Sequence, residues 1–182
     1  MNKIALITGA SAGIGAACAE KLAREGYDLI LAARRIDRLK ELAADLGAQF
    51  NAAIHMVELD VRDRDKVKSM FEALPERWKN IDVLINNAGL SQGLDPIQTG
   101  DIDDWERMID TNLKGLLYVS RAIIPGMVER NHGHIINIGS IAGKEVYPNG
   151  NVYCATKHAV DALSKGMRID LLPHGIKVTA IH

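Results

Sequence analysis

Cysteine is nearly missing from this chain: there are 2 in 182 residues, Cys18 and Cys154, far apart and in no disulfide-scaffold or metal-ligand spacing. That excludes a disulfide-stapled small domain, offers no metal centre, and makes a reducing, cytoplasmic setting the expectation. A dominant charge sign is lacking as well. With 22 Lys+Arg against 23 Asp+Glu the formal net charge is −1, so no basic field argues for nucleic acid or an anionic membrane surface. Long hydrophobic runs are absent too, since "KIALITGA" and "DLILAA" fall far short of a membrane span. Met1 leads so quickly into the first of them that no secretory leader is expected. There is no repeat, linker or low-complexity stretch.

What is present is ordinary globular material. A composition 47% hydrophobic and 25% charged suits an ordered protein, and the length suits a single domain, 1–182, with a substantial core. Apolar, β-branched runs alternate with longer amphipathic ones. Strands are expected at Lys3–Thr8, Asp28–Ala33, Ile54–Val61, Ile81–Asn87, His134–Ser140 and Ile176–His182. Helical spacing of apolar residues predicts helices over Gly13–Glu25, Ile36–Leu46, Asp63–Trp78, Asp103–Glu129 (with a possible break at Pro125) and Asn151–Leu172. Strands apolar on both faces, with helices between them, predict an α/β fold: a doubly wound parallel sheet covered on both sides. In such sheets ligands sit beyond the carboxyl ends of the strands. The stretches Leu90–Gly100 and Gly143–Gly150, which follow the fourth and fifth strands, are therefore candidate site walls.

The first such end carries "TGASAGIG", Thr8–Gly15. Gly9 permits a tight turn, Gly13 lets backbone approach a pyrophosphate, and Gly15 allows close helix–sheet packing; Ser11 and Ile14 lie within the same candidate cofactor turn. The helix that opens there supplies N–H groups and a positive dipole end. Its spacing, G-x-x-x-G-x-G, differs from the general dinucleotide fingerprint G-x-G-x-x-G. The second strand ends in Arg34 and Arg35, where many NAD-binding folds place an acid. Guanidinium groups favour a 2′-phosphate and offer no acceptor to a free hydroxyl, so NADP is the expected cofactor. Arg35 taken alone could equally start an exposed helix. Asp60, near the end of the third strand, is either a helix cap or a residue beside the adenine.

"YCATK" places Lys157 four residues after Tyr153. Chance alone could supply that pair, and its position decides. A proton must move at oxygen whenever a hydride moves between an alcohol carbon and a nicotinamide, and an unassisted phenol is a poor base at neutral pH. A lysine at i+4 shares the helical face, and its ammonium favours the phenolate; at ~4 Å and an effective dielectric of ~20 the attraction is roughly 4 kcal/mol. Ser140 ends the fifth strand 13 residues before Tyr153, where a hydroxyl can orient substrate and stabilise charge developing on its oxygen. His132, His134, His158 and Cys154 read as turn or packing residues.

With "TGASAGIG", "NNAG", "NIGS" and "YCATK" in this order, the chain resembles the short-chain dehydrogenase/reductase family over its whole length. The resemblance implies a Rossmann-type fold with six of the usual seven strands, and the catalytic set Asn112, Ser140, Tyr153 and Lys157. Asn112 would help hold a water that joins Lys157 to bulk, and Lys157 would also bond the nicotinamide ribose. Asp60 and Val61 would sit by the adenine, with Asn86, Ala88 and Gly89 along the adenosine ribose. Ser140 and Tyr153 would meet the substrate. Within the family, "DDWERMIDTNLKGLLYVSRAIIPGMVERNHGHIINIGS" and "GNVYCATK" are most similar to the NADP-dependent 3-hydroxy acid dehydrogenases that also oxidise serine or allo-threonine. The expected partner is thus a small hydroxy acid or ketone, with homodimers or homotetramers formed through the helices from Asp103 and Asn151. Two alternatives stand beside this reading: a 3-oxoacyl thioester or other ketone reductase, and a non-catalytic NADP-binding redox sensor. Family members continue beyond the sixth strand with a Pro-Gly turn, a mobile lid and a seventh strand. The chain is accordingly expected to be a C-terminally truncated piece that binds NADPH weakly and turns over poorly.

Overall fold

A computed structural model describes residues 2–182. The first strand, β1 (Ile4–Thr8), is buried at all five positions, and so are all six of β2 (Asp28–Ala33). Strands walled on both sides belong in the middle of a covered sheet. Four more follow: β3 (Ile54–Glu58), β4 (Ile81–Asn86), β5 (His134–Ile138) and β6 (Lys177–Ile181), all paired in parallel in the order β3-β2-β1-β4-β5-β6. Side-chain parity then divides the core. Ala5, Ile7, Leu29 and Leu31 face α1 (Gly13–Arg24) and α2 (Ile36–Phe50). Leu6, Ile30, Leu84 and Ile135 face the other layer, built from α3 (Arg64–Glu72), α6 (Leu116–Arg130) and α7 (Asn151–Leu171). The chain winds outward from β1 in one direction and from β4 in the other. The carboxyl ends of these two neighbours therefore flank the topological switch point, where such sheets leave a crevice.

Three expectations from the sequence need correction. The helix expected over Asp63–Trp78 is two, α3 and a short α4 (Glu76–Lys79), because Pro75 has no N–H to donate and enters with ψ 145. The long helix expected from Asp103 is not broken at Pro125. Arg121 and Pro125 are both exposed, so the carbonyl left without its partner can meet water. It changes winding elsewhere: α5 (Ile102–Ile109) passes into a π-helical segment, Asp110–Gly115, before α6 begins. Finally, β3 and β5 stop short of their expected ends, which leaves Leu59–Val61 and Gly139–Ser140 as tips over the crevice.

Candidate active site

Above the switch point lies a cleft of about 460 Å³. Its floor is the turn between β1 and α1. Gly9 and Gly13 both take positive φ, 65 and 57, and a Cβ at Gly13 would meet nothing within 4 Å, so the turn shows bare backbone to the cleft. Ala12 precedes α1 without a side-chain cap, which leaves the first N–H groups of the helix for a ligand. Gly15 is buried beneath the turn. A Cβ there would lie 2.5 Å from the Gly9 carbonyl oxygen and 2.5 Å from Asn87 Nδ2, so close packing is its task.

The turn is stapled to the loop after β4. The Thr8 hydroxyl accepts from the N–H groups of Asn87 and Ala88, both at 3.1 Å, and Asn87 Nδ2 donates to the carbonyls of Thr8 (3.0 Å) and Gly9 (3.1 Å). Sequence reasoning missed Asn87 and named Asn86 instead. Strand parity could have found it, since successive residues of β4 face opposite layers. Asn86 does not line the cleft. It is buried toward α6 and α7, where Nδ2 donates to Ser120 Oγ (3.0 Å) and Asn137 Oδ1 (2.9 Å), while Asn137 Nδ2 donates to Ser164 Oγ (2.9 Å). Ala88 and Gly89 do line it.

At one end of the cleft stand Arg34 and Arg35, both exposed, together with Ser11, whose Oγ accepts from Arg35 Nε (3.2 Å) and Nη2 (3.0 Å). Asp60, close enough to Arg34 to feel its charge, and Val61 line the cleft from the tip of β3, and Ile14 lines it from α1. The Arg62 guanidinium hydrogen-bonded to Asp60 holds its carboxyl below the usual carboxylate range.

Tyr153 and Lys157, one turn apart on α7, line the other end. Lys157 is 7% exposed; its Nζ donates to the Ile138 carbonyl at 2.9 Å and lies 5.9 Å from the centre of the Tyr153 ring. Burial pushes its ammonium pKa down. Two expected members, Ser140 and Asn112, do not line the cleft. Ser140 Oγ accepts from the Ala142 N–H at 3.1 Å and caps a short 3₁₀ turn over Ile141–Gly143, which leaves its own proton free. Asn112 is buried in the π-helical segment. Its Oδ1 accepts from Leu90 N (2.8 Å), and Nδ2 donates to Leu90 O (2.8 Å) and Thr156 Oγ1 (3.1 Å). Both amide protons are thus spent on protein, which leaves the second lone pair of Oδ1 as the place where this side chain can meet a water. Gly89 brings the groups together: a Cβ there would stand 3.2 Å from Asn112 Oδ1 and 3.7 Å from Lys157 Nζ. Among the described residues no group of His, Cys, Asp and Glu could hold a metal ion, and no helix is long and apolar enough to cross a membrane.

The arrangement combines an anion-binding end, an exposed backbone turn, and a phenol beside a buried ammonium. Together these suit an elongated phosphate-bearing ligand and a proton transfer at its far end. Known proteins are similar in sequence and fold. The sequence pattern described as short chain dehydrogenase matches residues 3–182. The NADP-dependent 3-hydroxy acid dehydrogenase YdfG of Escherichia coli O6:H1 is 49% identical over 178 residues, 98% of this chain and 70% of that one. Sulfoacetaldehyde reductase 2 of Chromohalobacter salexigens is 43% identical over 182 residues, 100% of this chain and 71% of that one. Among solved structures, the closed form of serine dehydrogenase complexed with NADP+ superposes with a TM-score of 0.90 at 50% identity, covering 97% of this chain and 70% of that one.

Proposed function

The chain belongs to the short-chain dehydrogenase/reductase family, and from that premise we propose that it moves a hydride between NADP and the hydroxyl-bearing carbon of a small 3-hydroxy acid or β-hydroxy amino acid. The chain is an oxidoreductase and its cofactor is NADP, in line with its NADP-dependent relatives. The observation that carries the finer reading is that one cleft has two arginines and a bare phosphate turn at one end and Tyr153 with Lys157 at the other.

In this reading the N–H groups at the start of α1 hold the pyrophosphate, and Arg34 and Arg35 hold the 2′-phosphate. Asp60 and Val61 flank the adenine, while Ala88 and Gly89 shape the wall between. Bound NADP supplies or accepts the hydride. Tyr153 Oη takes the proton from the substrate hydroxyl in oxidation and returns it in reduction. The Lys157 ammonium, fixed by the Ile138 carbonyl, stabilises negative charge on that oxygen and bonds the nearby ribose. The Ser140 hydroxyl accepts from Ala142 N–H on one lone pair and keeps its proton, so it would orient a substrate whose oxygen reaches beyond the cleft wall. Asn112 acts indirectly by tying the Leu90 loop to α7.

The likeness to a sulfoacetaldehyde reductase favours a second reading in which the cleft reduces a small anionic carbonyl compound. A panel of serine, allo-threonine, 3-hydroxyisobutyrate, sulfoacetaldehyde and an acetoacetyl thioester, assayed with NADP(H), separates the two. Turnover should fall at least ~100-fold in Tyr153→Phe; cofactor binding without turnover of any panel member would count against both readings. We extend the proposal to one domain, a cytoplasmic setting and a homo-oligomer formed through α5, α6 and α7. The half-exposed Ile109 and Leu117 and the two free cysteines support this, and sedimentation equilibrium tests the assembly.

A further inference from the structure

Asp161 stands on α7 one turn beyond Lys157, and it does not line the cleft. Its side chain is 13% exposed and gathers three partners. Oδ1 accepts from Lys144 Nζ at 2.8 Å and lies 3.3 Å from His182 Nε2, while Oδ2 accepts from Lys165 Nζ at 2.8 Å. Lys165 belongs to α7 itself. The other two come from elsewhere: Lys144 follows the 3₁₀ turn that Ser140 caps, and His182 follows β6. The second ring nitrogen of His182, Nδ1, lies 3.2 Å from the Ser140 carbonyl oxygen. A Cβ at Gly139 would stand 2.7 Å from that nitrogen, so the ring fits there because position 139 has no side chain.

One carboxylate therefore holds the segment from Ser140 to Lys144 at both ends, Lys144 directly and Ser140 through His182. The Ser140 carbonyl and the Asp161 carboxylate only accept, so the ring spans them with a proton on each nitrogen. The same stretch of chain touches α7 one turn earlier. The Ile138 carbonyl accepts from Lys157 Nζ at 2.9 Å, and a Cβ at Gly143 would fall 2.6 Å from the Lys157 carbonyl oxygen. Contacts at Lys157 and Asp161 together leave Ser140 little freedom relative to the helix that carries Tyr153. Removing the carboxylate charge would do more than delete these bonds. The Lys144 and Lys165 ammonium groups, each 2.8 Å from it, would face one another unneutralised, and their repulsion acts to lift the turn off α7.

We propose that Asp161 is a positioning residue for the reaction: by holding Lys144 and, through His182, the Ser140 carbonyl, it sets where the Ser140 hydroxyl stands relative to Tyr153 and Lys157. The inference rests on the catalytic reading of Ser140, Tyr153 and Lys157 given above and adds a residue outside the cleft wall. Asp161 acts through the turn and not on the cofactor, since none of Asp161, Lys144 and His182 lines the cleft.

The test measures kcat, KM and NADPH affinity with the fastest member of the substrate panel above, on the wild type, Asp161→Asn, Lys144→Met, the double variant and Lys165→Met. Amide hydrogen exchange over Ala142–Glu145 accompanies it. Ala142 N–H donates to Ser140 Oγ at 3.1 Å and Gly143 N–H to the Ser140 carbonyl at 2.8 Å, so their exchange reports whether the turn stays seated. Asp161→Asn is expected to lower kcat about tenfold, to leave NADPH affinity within about twofold, and to speed exchange of the turn about tenfold. Lys144→Met is expected to lower kcat about threefold, and the double variant no further than Asp161→Asn alone, because both changes open one clamp. Lys165→Met removes a partner that α7 supplies to itself, and should leave kcat and exchange unchanged. An unchanged kcat in Asp161→Asn overturns the inference alone, even where stability falls. So does an equal kcat loss in Lys165→Met, the signature of a weakened helix. A wild type that turns over no member of the panel overturns the catalytic reading and the inference with it.

Discussion

Replacing Gly15 by alanine should disconnect the phosphate turn from the loop after β4 without altering any charge. The added Cβ would fall 2.5 Å from both the Gly9 carbonyl oxygen and Asn87 Nδ2, where ordinary contact begins at 3.4 Å. Each must retreat by roughly 0.9 Å, a tight overlap for a well-packed site. Gly9 cannot swing aside like the end of a long side chain, because it is the turn itself. Asn87 can move only by giving up bonds of 3.0 and 3.1 Å to the Thr8 and Gly9 carbonyls. Overpacking costs about 1–3 kcal/mol and a lost hydrogen bond about 1 kcal/mol. Alanine's better helix propensity returns at most about 1 kcal/mol. The net expectation is a loss of about 1–3 kcal/mol in urea unfolding, with NADPH affinity at least ~10-fold weaker because the turn has moved. Gly47→Ala is the internal control. It lies within α2, has negative φ, and its Cβ would meet nothing within 4 Å, so it should gain about 0.5–1 kcal/mol and bind NADPH unchanged. If Gly15→Ala proves as stable as the wild type and binds NADPH equally well, the stapled-turn argument is wrong.

Asn137→Ala should cost about 2–4 kcal/mol in chemical denaturation, since it strips Asn86 Nδ2 and Ser164 Oγ of buried partners; a loss below ~0.5 kcal/mol would show that the network contributes little. Lys157→Met should separate stability from activity. Burial lowers the lysine's folded pKa, so the charged form is penalised at neutral pH and stability rises as pH climbs through the folded value toward the unfolded one near 10.4. The variant should lose that rise, keep its neutral-pH stability within ~1 kcal/mol, and turn over at least ~100-fold more slowly; a preserved alkaline rise in thermal melts contradicts this. Asp161 is gripped by Lys144 and Lys165, both at 2.8 Å, and these bonds hold its carboxyl far below the usual range. Its folded pKa is depressed, so its contribution is present above the unfolded value of ~3.9 and is lost as pH falls below it. Asp161→Asn should therefore blunt acid unfolding followed by circular dichroism below about pH 4; an unchanged acid limb counts against it.

Much of the molecule was legible without coordinates because its signals are local. Continuous apolar runs in β1 and β2 announce a doubly covered sheet, and glycines at 9, 13 and 15 announce a bare turn before a helix. The i, i+4 spacing of Tyr153 and Lys157 announces a shared helical face. Short-range chemistry also explains the misses. Pro75 could have been seen to divide the third helix, and strand parity could have chosen Asn87 over Asn86 for the cleft.

Other features had no local signal at all. The Thr8–Asn87 staple joins residues 79 apart, and nothing near either one foretells the other. Asn112 spends its amide protons on Leu90 and Thr156 only because a π-helical segment and α7 converge there. Arg62 is one of several charged residues in its stretch of sequence, and only the geometry shows it gripping Asp60 in the cleft wall. Sequence by itself thus determined the layers, the order of elements and which residue types stand at the strand ends, because periodicity and turn chemistry act over a few residues. Tertiary structure alone decided which of those side chains face the cleft and which are already engaged, because a hydrogen bond or an ion pair depends on angstrom distances between segments that the chain keeps far apart.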